Sequence, residues 1–568
     1  MFKNKLLFTK ITIILILFVG GAIVAFNQIY DNLQAKDPNL KYEQLSPFEI
    51  KNNLIEMAQK SGPNILNAGR GNPNFLNTTA RKAFSQLNLF ASTYAVGKMN
   101  NQDLGLRPVK LDITKKLKKF LQEKKGEEGI AYLSQAVAYI EKNIEGDFDQ
   151  NIWELVDATL GDYYPTPPKM IPVNQKITQK YLDKVFFPNN TKPQADFDLF
   201  ATEGAGAAMC YTFKSLRENK LLNPGDHIAI LTPIFSPYLE IPNLNDYKLI
   251  IIDVEGSEEL GWQIPDTELK KLEDKRVKAL FLVNPTNPTS VGLSQETIQR
   301  IGNLVRTKRS NLIVLTDTVY ATFIDEFNSL VREIPENTIT VYSYSKYFGV
   351  TGVRLGVVML NQENIMDKLI AQLPAKDQKE INKRYEIVSI TPEKIKFMDR
   401  IVLDSRDVAL GHTAGISGPQ QSMMSLFSIF ELIDDRQVYK KAIQTILDKR
   451  INNLYNSMGY VDVGIKPLQG ANKTHYYALL DLMKITKAKY GPEFAQYLAK
   501  NFIAIDFLFK LAQEKQVVCL PGQGFKGPDW SIRVSLANLN DDDYTVIGQS
   551  IREVMDSFYQ AWQKKKGS

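Results

Sequence analysis

Short apolar runs alternate with amphipathic stretches between residues 200 and 360. The apolar runs predict β-strands at 227–231, 248–254, 277–283, 311–315, 339–345 and 355–360. The amphipathic stretches between them predict helices at 206–218, 266–273 and 294–307. This alternation indicates an α/β fold with a mostly parallel sheet that is covered on both faces. Ligands of such sheets bind beyond the carboxyl ends of the strands.

The size and charge of the chain limit its class. With 568 residues it is too long for a single ordinary core, so more than one domain is expected. Its formal charge of +6 arises at the two ends, from Lys3, Lys5 and Lys10 and from Lys564–Lys566. The remainder balances, so no basic patch indicates binding to nucleic acid.

Cysteine and histidine are scarce. Cys210 and Cys519 show neither a disulfide framework nor the spacing of metal ligands, and His227, His412 and His475 are scattered. The sequence therefore predicts no metal site.

The N-terminal segment "ITIILILFVGGAIVAF" is apolar, and no charge occurs in residues 11–30. Twenty such residues can span a bilayer as a helix. Lysines precede the segment, which predicts a single-pass inner-membrane anchor with the body of the chain in the periplasm. A cytoplasmic body, a cleaved signal peptide and a helix of a soluble core are the alternatives.

The same patterns divide the chain into segments. Residues 102–150, with "KKLKKFLQEKKGEEG", predict a charged, surface-exposed helical insertion. The predicted organisation, in chain order, is a basic flank (1–10), the anchor or signal (11–30), a linker (31–43), the N-terminal part of a small domain with the insertion (44–170), a large ligand-binding domain (171–395) and a C-terminal small domain (396–568).

Two motifs in the α/β region indicate polar ligand contacts. In "ATEGAGAAMCYTF", Gly204 and Gly206 precede a helical run, so free backbone amides at the helix start predict an anion site. A simple tight turn is the alternative. In "NPTNPTS", two prolines hold Asn287 at the end of a strand, although an ordinary Asn-Pro turn has the same pattern.

Asp317 follows a buried strand in "NLIVLTDTVY", and Tyr320 comes three residues later. A carboxylate in such apolar surroundings needs a partner that offsets its desolvation. A helix N-cap is one interpretation, and a cationic ring nitrogen would be a better partner.

Lys346 stands in "TVYSYSKYFGVTGVRLG", after Ser343 and Ser345 and before Arg354. An isolated Ser-x-Ser-Lys would indicate only a lysine that faces solvent or phosphate. Here an arginine suits phosphate, and a lysine amine of lowered pKa can bond to an aldehyde. Together with the Asp317 carboxylate, which could pair with a pyridine nitrogen, these residues indicate a site for pyridoxal phosphate.

Taken together, these motifs resemble the fold-type-I, class I aminotransferase family in order and spacing. The resemblance implies a large domain with a mostly parallel seven-stranded sheet and a smaller α+β domain. It implies that Lys346 is the catalytic lysine that attaches the cofactor and that Asp317 is the partner of the ring nitrogen. Asn287 and Tyr320 would donate to the phenolic oxygen of the ring. The implied phosphate ligands are Gly204, Ala205, Gly206, Ser343 and Arg354.

Further roles are implied by the same resemblance. Phe235 in "TPIFSPY" would stack on the cofactor ring, Arg533 in "WSIRVSLANL" would bind the substrate α-carboxylate, and Gly71 would be the substrate-binding glycine. Arg70 is a candidate for a substrate carboxylate, with a structural salt bridge as the alternative. Tyr164 in "DYYPTPP" is a candidate for the cofactor phosphate of a neighbouring subunit, with core packing as the alternative.

Within the family, residues 40–565 resemble a branch that removes the β-carboxylate of L-aspartate. The segments that carry this resemblance include 45–58 and 69–87. It implies L-alanine and carbon dioxide as products, transamination with a 2-oxo acid as a side activity, and a homodimer or larger homo-oligomer. The anchor is not typical of that branch, and Ser290 stands where most aminotransferases have glycine. A plain aminotransferase and a membrane-tethered binding protein without activity are the alternatives.

Overall fold

A computed structural model describes residue 39 and residues 41–42, 45–95, 105–244, 246–406 and 415–567. The predicted anchor at 11–30 and the basic flank before it lie outside these described residues. Within the described ranges, no helix has the length and apolar character needed to cross a membrane.

The described elements alternate between helices and strands along most of the chain. The helices are α1 (Pro47–Ser61), α2 (Thr78–Ala95), α3 (Ile113–Glu123), α4 (Ile130–Asn143), α5 (Phe148–Leu160), α6 (Pro172–Phe186), α7 (Ala205–Glu218), α8 (Pro237–Glu240), α9 (Asp266–Leu269), α10 (Gln295–Lys308), α11 (Leu330–Glu333), α12 (Ile365–Ala371), α13 (Ala375–Tyr385), α14 (Phe397–Asp404), α15 (Gly418–Ile433), α16 (Val438–Met458), α17 (Leu482–Tyr490), α18 (Pro492–Asn501), α19 (Ala504–Lys515) and α20 (Asp543–Gly567). The strands are β1 (Leu66–Asn67), β2 (Phe197–Thr202), β3 (His227–Thr232), β4 (Ile250–Glu255), β5 (Val277–Val283), β6 (Ile313–Asp317), β7 (Thr338–Ser343), β8 (Gly356–Asn361), β9 (Tyr477–Asp481), β10 (Val517–Val518), β11 (Leu520–Pro521) and β12 (Ser531–Ser535).

Seven strands form the central sheet in the order β2-β8-β7-β6-β5-β3-β4. Only β8 runs against its neighbours, β7 and β2, while the other neighbouring pairs are parallel. The predicted mostly parallel α/β sheet is therefore confirmed. The sequence prediction did not include β2, an edge strand that pairs with β8 alone.

The central strands are apolar throughout because both faces of the sheet are covered. In β5, Phe281 packs into a core on one face, whereas Leu280 and Leu282 pack into a core on the other. All three side chains are fully buried. Side chains of a strand point alternately to its two faces, so a strand covered on both sides needs a continuous apolar run.

Two smaller sheets lie outside the central one. Strands β11, β12 and β9 form an antiparallel sheet with β12 in the middle, and β1 pairs with β10 in parallel. The β1–β10 pairing joins the N-terminal residues to the C-terminal part of the chain. It thereby brings residues 69–71 close to β12. The predicted domain boundaries stay a prediction.

The predicted insertion at 102–150 contains α3, α4 and the start of α5. Helix α3 exposes its lysines, but Ile113, Leu117 and Leu121 recur every four residues and are buried. Helix α4 likewise buries one face. This spacing places apolar side chains along one stripe of the helix. The region is therefore exposed on one face only and is packed on the other.

We expect Leu280→Ala to lower the free energy of unfolding by about 2–5 kcal/mol, because the side chain is fully buried in a central strand and its loss leaves a cavity. Leu244→Ala is the matched control, since Leu244 is 53% exposed and its change should stay within about 0.5 kcal/mol. Urea unfolding of both variants measures the difference. Equal loss of stability in the two variants would contradict the assigned core.

Candidate active site

A cavity of about 560 Å³ lies at the carboxyl ends of the parallel strands. Three of its lining residues, Val283, Asp317 and Ser343, are the last residues of β5, β6 and β7. Strand ends of this kind leave backbone and side chains free to contact a ligand. The cavity also collects most of the residues that the sequence indicated.

Lys346 lies in the turn after β7, and its Nζ donates to the carbonyl oxygen of Gly71 at 2.9 Å. Burial, together with the nearby guanidinium groups of Arg533 and Arg354, lowers the pKa of Lys346 to about 8. An amine with this pKa is a better nucleophile near neutral pH than an ordinary lysine.

Asp317 is a buried carboxylate with neutral hydrogen-bond donors. Its Oδ2 accepts from the Tyr238 hydroxyl at 2.7 Å, and its Oδ1 accepts from the Val319 amide at 3.0 Å. Burial raises the pKa of Asp317 to about 6, against the smaller effects of these donors and of Lys346. The following short 3₁₀ helix has Tyr320 as its N-cap, so Asp317 does not cap it. A cation in contact with this carboxylate would offset its desolvation and stabilise the charged form.

An anion site lies at the start of α7. Gly204 precedes this helix with a φ of 89°, and a Cβ at this position would collide with the guanidinium of Arg354. Arg354 itself has a φ of 61° and donates from Nη1 to the Thr351 carbonyl at 2.9 Å. Ala205, Gly206 and Ser343 line the same end of the cavity. Helix-start amides, a hydroxyl and a guanidinium together suit a phosphate group.

Asn287 and Tyr320 contribute two polar side chains to the wall of the cavity. The Asn287 Oδ1 accepts from Arg533 Nη1 at 3.3 Å, and the Tyr320 hydroxyl is 2.9 Å from the Tyr477 hydroxyl. Asn287 and Tyr320 are both buried and line the cavity. Two polar side chains are thus available to a ligand in the cavity, and their contact with one ligand oxygen stays a prediction.

Arg533 projects from β12 and is 1% exposed. Its Nη2 donates to the Gly69 carbonyl at 2.8 Å, and the guanidinium lies over the rings of Tyr477 and Phe525 at 4.4 and 4.9 Å. Its Nε is buried with no hydrogen-bond partner among the described residues. Burial lowers the pKa of Arg533. A carboxylate would supply the missing counter-charge.

The remaining predicted residues are placed differently. Phe235 lines the cavity edge-on to Phe48 and Tyr238, at centroid distances of 5.9 and 5.2 Å. Arg70 lines the cavity mouth and is exposed. Tyr164 is 58% exposed and does not line this cavity, so a role in its own subunit's site is not supported. Core packing, the alternative for Tyr164, is wrong.

Gly71 admits no side chain where it stands. A Cβ on Gly71 would lie 2.7 Å from the Tyr477 hydroxyl oxygen and 3.4 Å from Lys346 Nζ. Its carbonyl oxygen also accepts from the Tyr476 hydroxyl at 2.8 Å. The glycine therefore keeps the space in front of the lysine open.

Several residues of the site were not predicted. Tyr238 and Tyr477 contact Asp317 and Tyr320, and Lys51 also lines the cavity. Tyr238 stands in the quoted "TPIFSPY", three residues after Phe235, and this helical spacing was the available signal. Nothing local in "THYYALL" distinguishes Tyr477 from a core residue.

Ser290 adopts a φ of 60°, a conformation that glycine adopts most readily. This explains why glycine suits the position. Here the serine Oγ accepts from the Tyr477 amide at 2.7 Å, which gives the side chain a structural role.

These residues fit pyridoxal phosphate. Among the described residues, the buried carboxylate of Asp317 has no cation in hydrogen-bond contact, which matches a protonated ring nitrogen. The amides at the start of α7 with Arg354 match the phosphate, and the amine of Lys346 matches the aldehyde. A carboxylate substrate would then complete the coordination of Arg533.

In the cofactor-free protein, we expect the Lys346 amine to react with trinitrobenzenesulfonate with a midpoint near pH 8, because burial disfavours its charged form. The extent of labelling of the Lys346 peptide, measured by mass spectrometry across pH 6–11, gives the midpoint. The same peptide in urea-unfolded protein is the control, with a midpoint near the ordinary lysine value of 10.5. Identical midpoints in the folded and unfolded protein would contradict this electrostatic account.

Comparisons with known proteins agree with this geometry. The model of the family "Aminotransferase class I and II" matches residues 171–551. A bifunctional aspartate aminotransferase and L-aspartate beta-decarboxylase from Pseudomonas sp is 42% identical over 91% of this chain and 97% of its own length. An aspartate aminotransferase from Sulfurisphaera tokodaii is 25% identical over 61% of this chain and 72% of its own.

Among solved structures, a double mutant of Thermus thermophilus aspartate aminotransferase has the same fold. Its TM-score is 0.55 at 15% identity, and the match covers 90% of this chain and 96% of that one. The extent of the family match and the identity with the Pseudomonas protein both identify the family. The chain therefore belongs to the class I and II aminotransferases, with their fold-type-I architecture and with pyridoxal phosphate as its cofactor.

Proposed function

We propose that this protein converts L-aspartate to L-alanine and carbon dioxide, with aspartate transamination as a side activity. The observation that carries the proposal is the 42% identity with the bifunctional Pseudomonas protein over nearly the full length of both chains. The intact set of Lys346, Asp317, Asn287, Arg354 and Arg533 in one cavity supports turnover rather than mere binding.

The chain's residues would hold the cofactor at three points. Lys346 would bond its aldehyde, Asp317 would pair with its ring nitrogen, and the start of α7 with Arg354 would bind its phosphate. When bound, pyridoxal phosphate supplies a ring that withdraws electrons from the α-carbon of the substrate. Tyr238 keeps Asp317 oriented through its 2.7 Å hydrogen bond.

Substrate binding follows from the charges of the cavity. Arg533 would bind the α-carboxylate, because its guanidinium is buried and contacts an amide oxygen, a carbonyl oxygen and a tyrosine ring, none of which carries a negative charge. Lys346, held against the Gly71 carbonyl, would take the proton from the α-carbon.

The β-carboxylate must leave as carbon dioxide, so it needs positioning without strong neutralisation. Arg70 is our candidate for this contact. It lies at the exposed mouth of the cavity, where solvent weakens its charge interaction with a carboxylate.

A plain aspartate aminotransferase is the second candidate. The similarity to the Sulfurisphaera tokodaii enzyme favours it, since that relative is named for transamination alone. The two functions differ in their products, because only the first releases carbon dioxide.

We expect the purified holoenzyme to release one carbon dioxide and one L-alanine for each L-aspartate consumed. Lys346→Ala should abolish this activity, since it removes the buried amine that would bond the cofactor aldehyde. Lys484→Ala, which alters a lysine whose side chain is 57% exposed, is the control and should retain full activity. Carbon dioxide capture and amino-acid analysis measure both products. With a 2-oxo acid added as amino acceptor, formation of oxaloacetate without carbon dioxide would favour the plain aminotransferase. Turnover in Lys346→Ala would refute the assigned lysine.

We propose further that the active form is a homodimer or a larger homo-oligomer. Family members build their active sites between two subunits, and the Tyr164 side chain is 58% exposed on this chain. Light scattering of the chain without residues 1–38 should give at least twice the monomer mass. A fully active monomer would refute the proposal.

Membrane attachment through residues 11–30, with the catalytic part on the periplasmic side, is our proposal for localisation. Its support is the charge distribution: Lys3, Lys5 and Lys10 precede the apolar segment, and Lys36 is the first lysine after it. The exported chain would acquire its cofactor after crossing the membrane.

We expect protease added to intact spheroplasts to digest the catalytic part of the chain. Immunoblotting with an antibody to the C-terminal residues detects the digestion, and a cytoplasmic protein in the same cells is the control for integrity. Full protection until the cells are lysed would overturn the proposed orientation.

A further inference from the structure

A second cavity, of about 580 Å³, lies beside the active site. Val319 and Tyr320 line the active-site cavity, whereas the next two residues, Ala321 and Thr322, line the second one. The two cavities thus share one short segment as a wall. Helices α6, α15 and α16 supply charged side chains to the second cavity.

Lys440 on α16 is a buried ammonium with weak contacts. The residue is 8% exposed, and its Nζ lies 3.4 Å from the Ile324 carbonyl oxygen and 4.0 Å from Asp325 Oδ1. The Asp325 side chain is 64% exposed, so water competes for it. Burial accordingly lowers the pKa of Lys440. A buried charge of this kind is costly unless a closer partner compensates for it.

Glu431, near the end of α15, is a buried carboxylate that also has few contacts. It is 3% exposed, and its Oε2 accepts one hydrogen bond, from the Tyr347 hydroxyl at 2.9 Å. Lys184 donates to the backbone carbonyl of Glu431 rather than to its carboxylate. Burial raises the pKa of Glu431. A carboxylate can accept about four hydrogen bonds, so most of its capacity is unused among the described residues.

The buried ammonium of Lys440 and the buried carboxylate of Glu431 thus line one cavity without an ion pair within 4.0 Å, although each charge acts on the other through space and Lys184 also acts on Glu431. A simple anion would compensate Lys440 but would add a second negative charge near Glu431. A simple cation would compensate Glu431 but would add a second positive charge near Lys440. A molecule that carries both charges compensates both residues at no net charge.

We propose that the second cavity binds a small α-amino acid, with its carboxylate on Lys440 and its ammonium group on Glu431. The cavity volume leaves room for a short side chain. This proposal does not rest on the proposed reaction, although its reactant and product belong to the same class of ligand.

The test is isothermal titration of the holoenzyme with L-alanine in the presence of saturating maleate. Maleate is a dicarboxylate without an amine, and we expect it to fill the active site through Arg533. One further binding site per chain is expected. Propionate, which lacks the ammonium group, and ethylamine, which lacks the carboxylate, should each bind at least about tenfold more weakly, because each leaves one buried charge uncompensated. This ligand series needs no variant and so does not depend on any substitution folding.

Variants then locate the site. Lys440→Met and Glu431→Gln should each weaken L-alanine binding at least about tenfold. Lys192→Met is the matched control on the same cavity, because its amine already pairs with Asp183 at 2.8 Å, and it should change the affinity less than about twofold.

Three results would overturn the proposal. Propionate binding as tightly as L-alanine would make the cavity an anion site. No binding of L-alanine beyond the maleate-blocked active site would mean that the cavity holds water only. Equal weakening in Lys192→Met and Lys440→Met would show that Lys440 is not the specific partner of the ligand carboxylate.

Discussion

The desolvated carboxylate of Asp317 is the constraint on which the rest of the site depends. It terminates a strand in the middle of the sheet, with Tyr238 and Val319 as neutral donors, and burial alone would leave it largely protonated below pH 6. A cationic ring nitrogen restores the charge and is in turn held protonated. The ring nitrogen thus offsets the desolvation of Asp317, and Asp317 in turn keeps the ring nitrogen protonated.

Arg533 is likewise a buried charge whose partner must come from a ligand, in this case the substrate. Its guanidinium is buried against aromatic rings and carbonyl groups, so its counter-charge must come from the ligand. The β1–β10 pairing matters here, because it brings Gly69 and Gly71 to the arginine and to Lys346. The buried charges of Asp317 and Arg533 thereby select two ligands, a cofactor with a cationic ring nitrogen and a substrate with a carboxylate.

Sequence reasoning succeeded where the signal is local. Asp317, Ser343 and Lys346 lie within a few residues of strand ends, so the alternation of strands and helices predicted their meeting point. It failed where a contact depends on tertiary packing. Tyr238 meets Asp317 across 79 residues, and Tyr477 meets Tyr320 across 157. No periodicity encodes such pairs.

The differences between the predicted and the observed elements have similar causes. Strand β6 was predicted two residues too early, because Thr316 and Asp317 are polar although they continue the strand. The charged composition around α3 predicted exposure and hid the buried stripe of that helix. Exposure of Arg70 and Tyr164 was likewise not readable from the motifs that contain them.

The most direct test of the account is the protonation state of the cofactor ring. Holoenzyme reconstituted with ¹⁵N-labelled pyridoxal phosphate should show the ¹⁵N chemical shift of a protonated ring nitrogen from pH 6 to 9, because the buried charge of Asp317 holds the proton. In Asp317→Asn the shift should be that of the unprotonated nitrogen. An unprotonated ring in the unaltered protein, or a protonated ring in the variant, would contradict the central role given to this carboxylate.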